Sequence, residues 1–222
     1  MQDVVKYLKW EITERGARII GCDRTFKGAM EIPSRLDGVP VVEIGEKAFS
    51  ERHSLKSVVI PDSVEVVGGW AFDHCDELEE LRLGTGIKTI EDGAFAKCVS
   101  LKLVAIPDSV EVVGAAAFAE CDGLEELRLG EGIKKIEIAA FCRCRSLKRV
   151  AVPDSVEDVG ELAFFACSEL EELQLGAGIK KIKKDAFWGF SSLKSVVIPG
   201  SVKVVGEGAF GFGVNLVVDD ER

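Results

Sequence analysis

Residues 101–146 read LKLVAIPDSVEVVGAAAFAECDGLEELRLGEGIKKIEIAAFCRCRS and contain one pattern twice, at a spacing of 23 residues. The shared pattern is L-x-x-[LV]-x-[LIV]-[PG]-x-[SG]-[VI]-x-x-[VI]-[GEK]-x-x-A-F-x-x-C, and it recurs along most of the 222-residue chain. Its first leucine returns at a constant spacing: Leu55, Leu78, Leu101, Leu124, Leu147, Leu170, Leu193 and Leu216. The segment from Ile32 to Ser54 has the same length and second half, with Arg52 in the cysteine position. Self-similarity at such a period predicts a solenoid of stacked coils.

Each part of the pattern predicts one local structure. The L-x-x-L-x-L start indicates a short strand whose apolar residues, such as Leu78, Leu81 and Leu83, point inward. Pro-Asp-Ser or Gly-x-Gly then turns the chain, and an apolar pair such as Val64 and Val67 indicates a second extended segment. The A-F-x-x-C end places Phe and Cys on one side of a helical or 3₁₀ turn. We therefore expect a mostly-β or α/β-type solenoid with parallel strands, short second strands and short helical turns.

A column of phenylalanines predicts the centre of the core. It supplies one ring per coil: Phe49, Phe72, Phe95, Phe118, Phe141, Phe164, Phe187 and Phe210. No single coil could bury such a ring, so neighbouring coils must bury it between them. The array is therefore expected to fold as one cooperative domain.

A second column consists of cysteines. Its members also stand 23 residues apart: Cys75, Cys98, Cys121, Cys144 and Cys167. Stacked coils lie ~5 Å apart, which is within the Cα range of a disulfide. Equivalent thiols that all point into one core cannot all pair, however, so a ladder of buried free thiols is the preferred interpretation.

The sequence resembles the BspA-type leucine-rich repeat family. The resemblance rests on the recurring IPDSVEVVG…AF…C, on LRLGTGIKTIEDGAFAKC, and on EIPSRLDGVPVVEIGEKAF near the amino terminus. It implies a curved leucine-rich repeat array with parallel strands and short connecting turns. Members of the family are often bacterial or protist surface proteins implicated in adhesion and partner binding, so the resemblance implies a surface or secreted location.

The repeat pattern divides the chain into three parts. Residues 1–31 carry no repeat, and Trp10 to Ile20 reads as a hairpin that turns at Gly16 and covers the first open edge of the sheet. Residues 32–215 hold eight stacked repeats. Residues 216–222 form a carboxy-terminal edge strand with an acidic tail, after Phe190 and Gly213 have replaced the cysteine.

Charged residues alternate in sign from coil to coil. After the first leucine they run Lys56, Glu79, Lys102, Glu125, Lys148, Glu171 and Lys194. On the second segment the order is reversed, until Lys203 breaks the alternation: Glu65, Lys88, Glu111, Lys134, Glu157 and Lys180. A charged binding face is one interpretation. We favour the other, in which alternation avoids repulsion between stacked like charges and fixes the register.

Several function classes are disfavoured. A net charge of −10 argues against nucleic acid, and no apolar run approaches the ~20 residues of a membrane span. The histidines, His53 and His74, occupy different repeat positions, and no nucleophile-elbow, P-loop or dinucleotide motif occurs. We therefore expect no enzyme, no cofactor and no metal. The start of the chain has no signal-peptide pattern, and free thiols suit a cytoplasmic setting, so localisation stays open.

The positions that flank each A-F pair vary in size and polarity, unlike the rest of the repeat. Cys142, Phe165 and Trp188 occupy one such position in consecutive coils, which predicts an exposed apolar strip. Leu162, Ile138 and Phe212 stand nearby, with Arg143, Glu161 and Lys184 at the edge. Aromatic residues with an arginine at the rim are typical of protein-binding hot spots. Trp70 and His74 form a predicted second, smaller site, and the strand face is a third candidate surface.

The leading functional prediction is a non-enzymatic module for protein recognition or adhesion, whose partner is unidentified. One alternative is a structural spacer that self-associates, with a homodimer formed through the carboxy-terminal half. Another is an engineered repeat scaffold without a native partner. The large side chains of the strip could also serve structure alone, by packing on neighbouring coils or closing the end of the array.

Overall fold

The computed structural model describes residues 4–219, in which the chain winds into a β-solenoid. One 3₁₀ helix, Val5–Tyr7, precedes the first strand. The strands are β1 (Leu8–Ile12), β2 (Ala17–Cys22), β3 (Gly28–Glu31), β4 (Arg35–Leu36), β5 (Val39–Ile44), β6 (Leu55–Val59), β7 (Val66–Val67), β8 (Glu80–Arg82), β9 (Thr89–Ile90), β10 (Leu103–Ala105), β11 (Val112–Val113), β12 (Glu126–Arg128), β13 (Lys135–Ile136), β14 (Arg149–Val152), β15 (Asp158–Val159), β16 (Glu172–Leu175), β17 (Lys181–Ile182), β18 (Ser195–Ile198), β19 (Val204–Val205) and β20 (Asn215–Val218).

The second extended segments of the coils form one continuous sheet. Its order is β1-β2-β5-β7-β9-β11-β13-β15-β17-β19, with β4 paired to β5 at the side. From β5 onward the strands are parallel, and each residue pairs with its equivalent in the next coil, as Val66 does with Thr89 and Thr89 with Val112. The sequence period therefore sets the register, and the predicted parallel solenoid is confirmed.

The L-x-x-L-x-L strands lie on a second face, where pairing is interrupted. They form the sheets β3-β6-β8, β10-β12-β14-β16 and β18-β20. Leu78 and Leu81 are buried, as expected for inward-pointing residues, whereas Leu83 is only partly buried. The first strand of this face, β3, stacks in parallel on β6.

Turns of neighbouring coils fit together in pairs. The Asp62 Oδ1 atom accepts a hydrogen bond from the backbone nitrogen of Thr85 at 2.8 Å, and the same bond recurs two and four coils later. A Cβ atom added at Gly84 or Gly86 would overlap the backbone of the Pro-Asp-Ser turn in the preceding coil. Odd and even coils therefore differ because a Gly-x-Gly turn docks on each Pro-Asp-Ser turn.

The phenylalanine spine forms as predicted. Ring centroids of neighbouring coils lie 4.8–5.5 Å apart, with angles of 2–12° between the ring planes, from Phe49 to Phe210. All of these rings are buried. A coil-by-coil repeat places every ring in the same orientation, which explains the face-to-face stacking.

The predicted ladder of free thiols is also present, and its five members are buried. Each thiol donates a hydrogen bond to a phenylalanine carbonyl oxygen of the preceding coil, as Cys98 does to Phe72 at 3.3 Å. Burial raises the pKa of the Cys75 and Cys121 thiols to about 12. These thiols are therefore protonated donors at neutral pH.

The A-F-x-x-C segments differ from the helical or 3₁₀ turns expected from sequence, because they are chains of overlapping β-turns. Ala71 and Asp73 donate from their backbone nitrogens to the carbonyl three residues earlier, at 3.2 and 3.1 Å. The nitrogens between them donate to the following coil, as Phe72 does to Ala94 at 2.7 Å. All such bonds between turns run toward the next coil, so half of the N–H groups are used outside the segment and a helix cannot form.

The first edge of the array is closed by the hairpin of β1 and β2, which turns at Gly16 and pairs in parallel with β5. Arg52, in the cysteine position of the first coil, joins this hairpin to the coil. Its Nε and Nη2 atoms donate to the Cys22 carbonyl oxygen at 3.0 and 2.7 Å, and Nη1 donates to the Ser50 carbonyl oxygen at 2.7 Å.

The other end is open over the described residues. β19 ends the long sheet, and β20 ends the strand face by pairing in parallel with β18. Val204 and Val205 each expose 50% of their surface. The tail predicted for residues 216–222 includes 220–222, which lie outside the described residues, and the domain boundaries given above stay a prediction.

The charged residues that alternate in sign from coil to coil form ion pairs at only some positions. Within residues 4–219, Lys102 Nζ lies 3.5 Å from Glu125 Oε1, and Lys180 Nζ lies 2.7 Å from Glu157 Oε2. Their side chains are more than half exposed, so water screens both pairs. Their contribution to stability is therefore small.

Candidate functional site

The positions on either side of each A-F pair lie on the outer side of the turns. In the coil of Phe164, the flanking residues are half-buried or exposed, whereas Phe164 and Cys167 are buried. Two of the flanking residues, Leu162 and Ala166, have φ angles of 58° and 57°. This left-handed backbone is sparsely populated by residues other than glycine, and it directs the variable side chains away from the spine.

Phe165 and Trp188 form a stacked pair on this outer surface. Their ring centroids lie 5.3 Å apart, with 10° between the planes. Trp188 exposes 37% of its surface, and Phe165 is half-buried. A Cβ atom added at Gly211 would come within 3.7 Å of Trp188 Cδ1. The indole therefore packs on the last coil and still presents an aromatic surface to solvent.

The other apolar members of the predicted strip are more dispersed. Cys142 precedes Phe165 in the same column and is half-buried, which raises the pKa of its thiol. Ile138 exposes 45% of its surface and Phe212 exposes 97%. Phe212 makes no ring contact with another aromatic side chain of residues 4–219. The structure thus brings the stacked pair together and leaves Phe212 apart.

Charged residues edge this surface. Arg143 Nη1 lies 3.8 Å from Glu120 Oε1, and the two side chains are 49% and 42% exposed. Glu161 and Lys184 are exposed at the position two residues before the alanine of their coils. Leu162, which follows Glu161 in the chain, is half-buried. An aromatic centre with a charged rim has the composition of a protein interface.

Trp70 and His74 lie on the same turn but have different surroundings. Trp70 exposes 43% of its surface, and the Lys47 Nζ atom lies 5.4 Å from the indole centroid. A Cβ atom added at Gly93 in the next coil would overlap the indole. His74 instead pairs with Asp73, with 2.8 Å between Nδ1 and Oδ2. Only the tryptophan borders the cavity described next.

An open trough of about 570 Å³ runs beside Trp70, and sequence reasoning missed it. Its lining includes the small residues Gly69, Gly114 and Ala115 as well as the strand residues Thr89, Ile90 and Val112. Its acidic lining residues are Glu46, Glu91, Asp92 and Glu137. The signal was present in the sequence as Gly69 and Ala115 at one outer position two coils apart, with Asp92 between them, but a trough appears only when those coils are stacked.

Two further observations concern other classes of site. A hollow of about 820 Å³ lies on the strand side of the first coils, bordered by Ile32, Val59 and Leu83 among others. Within residues 4–219, no three histidine, cysteine or acidic side chains converge as a metal site. No helix in that range has the length and apolarity to cross a lipid bilayer.

Comparison with known proteins agrees with this architecture. The sequence profile of the BspA type leucine rich repeat region matches residues 29–137 and 88–217, with six copies. A leucine-rich repeat protein of T. pallidum is 30% identical with a TM-score of 0.72, over 91% of this chain and 85% of that chain. Among curated proteins, none matches in sequence.

Two other solved structures share the fold at lower identity. A leucine rich cell surface protein from Faecalibacterium prausnitzii A2-165 is 23% identical with a TM-score of 0.67, over 92% of this chain and 72% of that chain. A leucine-rich repeat protein from Bacteroides ovatus ATCC 8483 is 22% identical with a TM-score of 0.66, over 98% and 67%.

The profile match, the similarity to the T. pallidum protein and the stacked parallel coils all lead to one assignment. The matched regions together span residues 29–217, which is most of the chain. The chain belongs to the BspA-type leucine-rich repeat family.

Proposed function

We propose that this chain is a non-enzymatic recognition module that binds a protein partner through an aromatic strip, defined as Cys142, Phe165 and Trp188. The observation that carries the proposal is the stacked pair of Phe165 and Trp188 on the outer surface. Equivalent positions in earlier coils hold Asp73 and Ala96, so the repeat itself does not require an aromatic side chain there.

Physical chemistry supports binding at this strip. Tryptophan and arginine dominate the energetic centres of protein interfaces, and the strip combines Trp188 with Arg143 at its rim. Phe165 and Trp188 are already stacked on the coils before a partner binds. Binding would therefore cost little conformational entropy for ordering these two side chains. Leu162, Ile138 and Phe212 extend the apolar surface around the strip.

Family membership supports recognition more than catalysis. Leucine-rich repeat proteins act mainly as interaction modules, and the description of the F. prausnitzii neighbour as a cell surface protein is compatible with an adhesive role for this chain. Nucleophilic catalysis by Cys142 is disfavoured, because burial raises the pKa of its thiol and the thiolate is the reactive form.

The test is site-specific photo-crosslinking from the rim. A photoreactive amino acid replaces Arg143, and the captured partner is compared in the Phe165→Ala and Trp188→Ala backgrounds. We expect capture to be lost in both, while the strand-face control Val197→Ala retains it. Capture that is equally strong in all three variants would overturn the strip as the binding surface. Thermal unfolding of each variant confirms that the fold is intact.

A second candidate function, self-association, is favoured by the open end of the array. Val204, Val205 and Val218 expose half or more of their surface on strands that end their sheets within residues 4–219, and exposed apolar edges promote strand addition. Light scattering over a wide concentration range tests a homodimer, with Val218→Lys as the disrupting variant. A strictly monomeric parent protein at high concentration would rule this candidate out.

A further inference from the structure

The trough beside Trp70 has a chemistry different from that of the aromatic strip. We infer that it binds a cationic side chain, arginine or lysine, from an extended basic segment of a protein partner. The inference rests on the proposed recognition function and names the partner chemistry for a second surface of the same module.

The trough has the shape of a channel for extended chain. Its lining comes from consecutive coils, from Glu46 in the first to Glu137 in the fifth. Adjacent coils stack ~5 Å apart, so the trough follows the solenoid axis for ~20 Å, the length of about six extended residues. Gly69, Gly114 and Ala115 contribute no large side chain to its lining.

The centre of the trough carries uncompensated negative charge. Glu91 Oε2 accepts the backbone N–H of Gly69 at 2.9 Å, and Asp92 Oδ1 accepts that of Ala115 at 2.7 Å. These bonds fix both carboxylates in place. Neither carboxylate forms an ion pair within residues 4–219.

The acids at the two ends of the trough already have ion-pair partners. Glu46 lies 3.3 Å from the Lys47 ammonium, and Glu137 lies 2.6 Å from that of Lys135. The free negative charge is therefore concentrated in the middle coil, next to Trp70. Each of the two fixed carboxylates can accept hydrogen bonds from a guanidinium or an ammonium.

Trp70 supplies the apolar side of the same pocket. Gly93 leaves room for the indole to lie against the next coil, and the Lys47 ammonium already lies over the ring. This intramolecular contact shows that the indole is placed to accept a cation. A partner's cationic side chain would take the place of the Lys47 ammonium beside the indole and put its charged head next to Glu91 or Asp92.

The probe for this inference is a dye-labelled peptide of alternating glycine and arginine, with a glycine–lysine peptide and a glycine–glutamate peptide beside it. Fluorescence polarisation measures binding to the whole 222-residue chain at low salt, because screening weakens exposed pairs. We expect the arginine and lysine peptides to bind and the glutamate peptide not to bind.

Matched charge variants separate the trough from the acidic surface as a whole. The double substitution Glu91→Gln and Asp92→Asn keeps the acceptor oxygens but removes two charges, and we expect it to weaken binding about tenfold. The control, Glu79→Gln with Glu80→Gln, removes the same charge from the exposed strand face of the same coil. Equal weakening by the two variants, or no binding of the arginine peptide to the parent, would overturn the inference.

The indole N–H signals in a ¹⁵N spectrum locate the peptide. We expect the Trp70 signal to shift on addition of the arginine peptide and the Trp188 signal to remain in place. Trp188→Ala should leave peptide affinity unchanged, whereas Trp70→Leu should lower it. If the peptide does not bind while partner capture still requires Trp188, the inference fails and the proposed function stands. If the peptide binds as expected while Trp188→Ala leaves partner capture unchanged, the strip is not the binding surface and the inference about the trough is retained.

Discussion

The Sγ atom of Cys75 lies 3.2 Å from the carbonyl oxygen of Phe49, 26 residues earlier, and donates a hydrogen bond to it. The same bond is formed by each following cysteine of the ladder. Cysteine is thus the residue that is small enough for the core and still satisfies a carbonyl group of the neighbouring coil. Two columns of the repeat, phenylalanine and cysteine, are coupled by this contact.

Removing one thiol of the ladder should destabilise the protein. Cys121→Ala deletes the donor to the Phe95 carbonyl oxygen and leaves a small cavity, so we expect a loss of about 1–3 kcal/mol in the free energy of unfolding. Urea denaturation followed by circular dichroism measures it. Cys142→Ala is the control, because Cys142 is half-buried and outside the ladder, and an equal loss in both variants would contradict the role of the bond.

The ladder should also make stability fall at alkaline pH. Burial raises the pKa of Cys121 to about 12, whereas an unfolded thiol has a pKa near ~8.5. Above that value the unfolded chain releases protons that the folded chain retains, so stability is full below pH ~8.5 and declines at up to ~1.4 kcal/mol per pH unit for each thiol. Denaturation between about pH 9 and 11 should show a smaller slope for Cys121→Ala than for the parent. Identical slopes would count against the buried thiols as its source.

Aromatic residues of the spine and of the strip should differ in their effect on stability. Phe118 is fully buried between stacked rings, and Phe118→Ala should cost about 3–5 kcal/mol. Phe165 is half-buried and, among residues 4–219, stacks on one ring, that of Trp188, so Phe165→Ala should cost about 1–2 kcal/mol. Equal costs would show that Phe165 is a structural residue and would weaken the case for the strip.

Docking between coils should make certain turn glycines irreplaceable. A Cβ atom at Gly132 would overlap the Asp108 carbonyl oxygen, so Gly132→Ala should cost about 1–3 kcal/mol through overpacking. Gly21 lies in β2, where an added Cβ meets only the Lys9 side chain at 3.7 Å or more. Gly21→Ala should therefore be close to neutral. A neutral Gly132→Ala in the same denaturation assay would disprove the docking contact.

Replacing Arg52 by cysteine, the residue that later coils have at this position, should destabilise the amino-terminal hairpin. Arg52→Cys removes the two hydrogen bonds to Cys22 that join the hairpin to the coil, and a third, to Ser50, within the coil. We expect a local loss of about 1–3 kcal/mol, seen as faster hydrogen exchange in β1 and β2. Arg24→Cys, which removes an exposed arginine nearby, is the control. Unchanged hydrogen exchange of β1 and β2 in Arg52→Cys would contradict a capping role for Arg52.

Repetition made much of the fold predictable. A constant spacing from Leu55 to Leu216 can be satisfied by a parallel register in which each residue stacks on its equivalent, as Val66 and Thr89 do. The Phe and Cys columns follow from the same stacking. The helical turn was wrongly expected because Phe72 and its neighbours bond to the next coil, and a pattern read within one coil contains no information on such bonds.

The candidate surfaces were predictable only in part. Phe165 and Trp188 stand out because they break the pattern at one position, and the structure places them in contact. The trough was missed because its floor is defined by missing side chains, at Gly69 and Ala115, in separate coils. Small residues in separate coils border a cavity only because stacking brings larger side chains around them, and the sequence alone does not give that arrangement.

The one-way bonding of the A-F turns gives the solenoid a polarity, like that of a filament with distinct ends. The starting end displays carbonyl oxygens, and the Arg52 guanidinium satisfies one of them, on Ser50. The finishing end displays N–H groups, so two copies that met there head-on would oppose donor with donor. Any such dimer must therefore join through the strand edges, whereas a unit added in the same orientation extends the turns without conflict.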